Sequence, residues 1–159
     1  MTRRVKIERF ALLLAGLGGG LLLAIPASRG AEATIGPATI RITDREIAST
    51  RVDIGKRGRS AGDIHIMRHV LYNRRLSART IGHVEIICSF IVGNSRQCRG
   101  TYFLPRGKLI VGGSLIYPQF YELAVLGGTG LYDNARGTLT VTRTARNPNR
   151  SIVLFRLVG

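Results

Sequence analysis

The sequence predicts an all-β domain of about eight antiparallel strands behind an N-terminal export segment. Three observations point there. Short runs rich in β-branched and aromatic residues recur through the chain, turn residues separate them at close intervals, and no stretch sustains helical periodicity. About eight such strands suit a closed up-and-down barrel or a sandwich.

The first 33 residues divide into three zones: a basic start at Arg3, Arg4, Lys6 and Arg9, an apolar run over 11–25, and small residues ending in Ala31, Glu32 and Ala33. This is the layout of a secretory signal, with cleavage expected after Ala33 and a secreted, periplasmic or extracellular product. The run is broken by Gly16, Gly18, Gly19 and Gly20. It is also shorter than the ~20 residues a spanning helix needs, so a permanent anchor is the weaker reading. Arg3 and Arg4 follow Thr2 as a pair, which leaves a twin-arginine route open.

Residues 34–60 read as a flexible arm containing the first strand, and 61–159 as the barrel core. Within the arm, Gly36 and Pro37 argue for a loose entry and 39–42 for a short strand; 34–45 reads as a tail, and alternation begins a strand at 47–54. A basic, glycine-rich loop follows from Gly55 through Lys56, Arg57 and Arg59 to Gly62. The next strands are 64–72 and 80–91, then 98–104 after a turn at Gly93, Asn94 and Ser95. Pro105, Arg106 and Gly107 turn the chain into 108–114, and 119–126 follows. The last two strands, 136–143 and 151–158, are divided by Asn147, Pro148 and Asn149.

The chain carries 24 Lys plus Arg against 9 Asp plus Glu, and beyond Ala33 the balance is still 19 against 7. The basic character therefore belongs to the domain and favours anionic partners. Nucleic acid is not among them: the arginines are scattered, no recognised binding module is present, and export removes the usual partner. The loop around Lys56 to Arg59 reads as a solvated surface or a contact to an anionic envelope polymer.

Export also changes the reading of the two cysteines, Cys88 and Cys98. If one ends a strand and the other opens the next around Gly93, they face each other across a hairpin, and a structural disulfide is expected. The alternative is two buried thiols.

Residues 127–137 combine Gly127, Gly128, Thr129, Gly130, Leu131 and Tyr132 with Asp133, Asn134, Ala135, Arg136 and Gly137. The run lacks the Lys-Ser/Thr pair of a phosphate loop and the third glycine of a dinucleotide fingerprint. Physically it reads as a tight β corner whose glycines permit positive φ and close backbone approach. This segment resembles the hallmark of the dirigent proteins and allene oxide cyclases. Gly62 and Asp63, Ile81 and Gly82, and Cys88 with Cys98, Gly100, Thr101, Leu104, Pro105 and Gly107 follow the pattern of secreted bacterial members in the same order.

The resemblance implies an eight-stranded up-and-down antiparallel barrel working without a cofactor, as a trimer or dimer. Its members bind small apolar or phenolic ligands in the barrel, dirigent proteins to steer phenol-radical coupling and the cyclases to close a ring. Positioning in a preorganised, mostly apolar pocket does most of that work. By the same resemblance Arg136 lies near the pocket and Asp63 opens the first long strand of the core.

Glu85 is a second catalytic candidate beside Arg136. In the apolar run 84–88, a carboxylate facing a barrel interior would be desolvated and suited to acid or base work, whereas facing outward it would balance nearby arginines. Period-two alternation puts it with His83 on the face opposite Cys88, which favours the outward reading. Tyr72, Tyr102 and Tyr132 are the aromatic candidates for ligand contact. No metal is expected, because His65 and His69 lie ~13 Å apart along one strand face and no carboxylate or cysteine spacing completes a site. A hydrolase lacks both a nucleophile elbow and a free Cys-His pair.

Overall fold

The computed structural model describes residues 37–73, 79–146 and 149–158. The export segment, its cleavage point after Ala33 and the turn at Asn147 and Pro148 lie outside the described residues. Eight strands follow in chain order: β1 (Ala38–Val52), β2 (Ile64–Tyr72), β3 (Thr80–Val92), β4 (Ser95–Leu104), β5 (Gly107–Leu115), β6 (Phe120–Gly130), β7 (Arg136–Arg146) and β8 (Asn149–Val158). Each pairs antiparallel with the next, and β8 returns to β1 from Ala38↔Leu157 to Arg45↔Arg150, which closes the barrel.

Part of what reads as a tail is therefore the strand that closes the barrel. β1 begins at Ala38 rather than Ile47. The signal is masked because Ile42 shares the inner face with a buried acid, Asp44, while Arg41 faces water. A bulge between Glu46 and Ala48 then shifts the phase, so the exposed Ile47 gives a false start. The glycine segment is likewise partly strand. β6 continues through it to Gly130, opposite Gly107, and the turn proper comes after it.

Elsewhere strict alternation decides what fills the interior. Inward residues at one end form a dry plug: Leu71, Val84, Tyr102, Leu109, Val111, Leu139, Val153 and Phe155 are each at most 1 % exposed. Tyr102 and Phe155 meet edge to face, with centroids 5.0 Å apart. Toward the other end the inward positions turn polar, with His65 and His69 on β2 and Ser151 on β8, and the barrel stays open.

Cys88 and Cys98 face each other across β3 and β4 and are joined by a disulfide, Cα to Cα 4.0 Å. They sit either side of the Gly93-Asn94 turn, where Gly93 takes φ 55°. The bridge constrains the unfolded chain over a sequence separation of 10. Replacing both cysteines by serine should cost about 2–3 kcal/mol in urea unfolding. An unchanged midpoint would count against the bridge as a stabilising element.

Candidate functional site

The open end holds a cavity of about 290 Å³, built from alternate residues of β1 to β8 and from the loops between them. Met67, Ile86, Leu115, Leu123 and the Cys88–Cys98 bridge supply apolar surface. Arg51, Arg59, Arg96 and Arg143 line the same space, together with Glu46, Ser49, His65, His69, Tyr121, Asn149 and Ser151.

Two histidines are held in defined ways. His69 Nδ1 lies 3.1 Å from Asp44 Oδ2, and both residues are buried. With Nδ1 held by that carboxylate, Nε2 is left without a hydrogen-bond partner, 3.9 Å from Glu46 Oε2. Asn149 Nδ2 donates to the same Glu46 oxygen at 2.8 Å, fixing that side chain. His65 Nε2 is 2.7 Å from Ser49 Oγ.

Burial lowers the His65 pKa, and the nearby Arg51 and Arg96 lower it further, so the ring is held neutral. Its contribution to stability is complete above the ordinary imidazole value of 6.5 and is lost as pH falls from there through the folded value. The melting temperature should therefore decline on acidification from pH 7, and His65→Gln should flatten that part of the profile. Burial and the adjacent Asp44 push the Tyr121 phenol far above its usual range, which leaves it a neutral donor.

The residues expected from the sequence are placed as follows. Asp63 sits beside the mouth and knits the basic loop: its carboxylate accepts from Ile54 N at 2.9 Å, Ser60 N at 2.8 Å and Ser60 Oγ at 3.2 Å. Those backbone donors lower its pKa. Its action on the site is indirect, through the loop that carries Arg59. Tyr102 faces inward but is locked in the dry plug, where burial raises its phenol pKa.

Arg136, Tyr72 and Tyr132 belong to the opposite end of the barrel. Arg136 is exposed, pairs with Val158 and donates from Nη1 to its neighbour Ala135 O at 2.9 Å. Tyr72 ends β2 beneath Arg45, and Tyr132 packs into the core from the β6–β7 turn. None of the three reaches the mouth.

Glu85 faces outward, with Arg68 Nε at 3.9 Å and His83 Nε2 at 3.7 Å. The alternation that opposed it to Cys88 holds, and no carboxylate enters the interior from β3. Glu85→Gln should leave ligand affinity unchanged and stability within about 0.5 kcal/mol, measured by calorimetry and urea unfolding.

The residues that the sequence did not mark as a group are Asp44, Glu46, His65, His69, Arg51, Arg96 and Arg143. Among the described residues no three His, Cys, Asp or Glu side chains converge as metal ligands. The arrangement instead offers an imidazole oriented by a buried carboxylate, a phenol donor, and guanidinium groups around an apolar floor.

This closed barrel has the fold shared by the dirigent and allene oxide cyclase-like proteins. Among solved structures, a pyocyanin demethylase superposes with TM-score 0.67 at 24 % identity, over 76 % of this chain and 100 % of that one. A pterocarpan synthase dirigent protein matches with TM-score 0.60 at 14 % identity, over 76 % and 92 %. The Diels-Alderase AbmU from Streptomyces koyangensis matches with TM-score 0.59 at 11 % identity, over 82 % and 72 %. No protein-family model and no curated protein matches the sequence.

Proposed function

We propose that this protein is an exported barrel that binds a small apolar or phenolic ligand in its open end and shapes it for ring closure or rearrangement without a redox cofactor. It would act as a dirigent-like scaffold or a non-redox cyclase. One observation carries the reading: the barrel is filled at one end and open at the other, and the open end is lined by His69, which the buried Asp44 holds. An eight-stranded barrel has room for little beyond its own side chains or one small ligand. Leaving one end of it unfilled and polar sacrifices core stability that a purely structural barrel would keep.

The fold neighbours lend support, since their names refer to small organic molecules: pyocyanin, a pterocarpan and a Diels–Alder substrate. None is named for polymer binding. The disulfide and the three-zone leader support action outside the cytoplasm. A dimer or trimer is part of the proposal; Ile66 and Ile87, paired across β2 and β3 and each 46 % exposed, offer outer surface for it.

The chemistry follows from positioning. The apolar floor orders a flexible ligand, Tyr121 donates a hydrogen bond, and His69, oriented by Asp44, accepts a proton at Nε2. Thermal-shift and calorimetric screens with phenols and polyenes test the binding step. Stabilisation that disappears in a folded Leu123→Trp variant, whose indole occupies the cavity, is the expected result. Stabilisation by anionic polymers alone, abolished by salt, would overturn the reading. Once a reaction is found, His69→Gln should slow a cyclase about 10²–10⁴-fold with affinity retained, whereas a pure scaffold would be unaffected.

A further inference from the structure

We propose that the open end of the barrel is a receptor for a small organic anion, whose acidic group is held by Arg51, Arg96 and Arg143 with Arg59 reaching in from the loop. This rests on the reading of the mouth as a ligand site and names the class of ligand it takes.

Four guanidinium groups line one cavity, and among the described residues none of them lies within ion-pair distance of a carboxylate. Glu46 is the sole acid lining that space, and Asn149 already engages it. Holding like charges together without counterions is unfavourable, and a concave, low-dielectric wall concentrates their field on whatever enters. Arg96 shows the tension most clearly. Its Nε is buried with no hydrogen-bond partner, and burial together with Arg59, Arg51 and Arg143 weakens its hold on the proton. An entering carboxylate or phenolate would relieve both problems at once.

Two of the arginines are also pre-positioned. Arg59 and Arg96 each place the guanidinium carbon 5.2 Å from the centroid of the buried Phe90 ring, and Asn94 Oδ1 accepts from Arg59 Nη1 at 3.0 Å. Planar forks fixed this way suit bidentate recognition of a planar anion. The floor of Met67, Ile86 and Leu123 then favours an unsaturated body of roughly one or two rings in the cavity of 290 Å³. Lys56 and Arg57, exposed on the same loop as Arg59, do not line the cavity and serve as the surface reference.

The test uses pairs of probes that share one ring system and differ in charge and by one methyl group: benzoate, 4-hydroxycinnamate and naphthalene-2-carboxylate, each against its methyl ester. Calorimetry on the full chain should show at least one acid binding about tenfold or more tighter than its ester. Arg143→Gln and Arg51→Gln should each weaken the acid about tenfold to a hundredfold and leave the ester unchanged. Arg57→Gln should change neither. Removing one of several unpaired like charges relieves repulsion, so both cavity variants should fold; melting curves verify this, and Arg96→Lys supplies an independent third variant.

Equal binding of acid and ester, or acid affinity unmoved by all three cavity variants, would overturn the anion assignment and leave the ligand site standing. Failure of every acid and every ester would overturn both. Acid binding that Arg57→Gln weakens as much as Arg143→Gln would point to diffuse surface charge and also overturn the assignment.

Discussion

Phe155→Ala is expected to lower stability by about 3–5 kcal/mol, the range for emptying a fully buried aromatic site. Phe155 is 0 % exposed, sits opposite Ile40 on β1 and Leu139 on β7, and meets Tyr102 edge to face. Its ring thus joins the strand pair that closes the barrel to the centre of the plug. The surrounding strands are tied on both sides and cannot collapse into the void. Losing the edge-to-face contact adds about 0.5–1.5 kcal/mol to what area alone would give. For a domain whose total stability is of the order of 5–15 kcal/mol, that is a large share, and the melting temperature should fall by roughly 10–20 °C. Phe155→Leu, which keeps most of the volume, should cost clearly less. Urea unfolding with an unchanged slope would verify that the native state and not the denatured ensemble has changed. Equal losses for Leu and Ala would show that the site tolerates no substitution of shape, and near-zero losses would mean that the plug is not the source of stability.

The plug and the open end were unequally legible in the sequence. Alternation located β2 at 64–72 without error, because the glycine-rich loop ends just before it and a polar run begins just after it. The hairpin of β3 and β4 was also legible, since Cys88 and Cys98 fix its register and Gly93 its turn, although β4 begins at Ser95 and not at Cys98. β1 was half lost, since a bulge changes which parity faces inward and pattern reading has no sight of bulges.

The site was hidden for a related reason. Each of its polar residues looks like ordinary strand surface until it is known which phase faces inward. His65 and His69 alternate with the exposed Ile66 and Arg68, so apolarity alone names the wrong face near the mouth. The bridge could have supplied the phase. Arg96 shares parity with Cys98, and His65 lies opposite Cys88 in the register. Carrying the inward phase of the two cysteines to the neighbouring strands brings Arg96, His65 and His69 to one lumen. Asp44 and Arg143 need the long-range closure of β1 on β8, which local pattern cannot reveal.

The glycine segment was legible as chemistry before it was legible as structure, and it gives the second large expected effect. Gly137→Ala should destabilise by roughly 2–5 kcal/mol, combining backbone strain with forced movement of a packed strand. Gly137 has φ 136°, and a Cβ there would stand 2.0 Å from Arg156 O on the neighbouring β8. That oxygen belongs to backbone held in the β7–β8 ladder, so it cannot swing aside as a side-chain tip could. Gly128→Ala should act similarly without help from φ: its Cβ would lie 2.2 Å from Tyr132 O and 2.6 Å from Lys108 O. Gly127 supplies the contrast within the same run. A Cβ on it would touch Arg136 Nη1 at an ordinary 3.5 Å, and no unusual φ is required there. Gly127→Ala should therefore change stability by less than about 1 kcal/mol, and its lower backbone entropy when unfolded could make it stabilising. Parallel urea unfolding of the three variants decides the matter. If Gly127→Ala proves as damaging as Gly137→Ala, the segment is constrained by something other than backbone approach, because the steric and conformational reasons separate these two positions completely. Because both clashes lie at the end of the barrel away from the cavity, a variant that still folds should keep its affinity at the mouth.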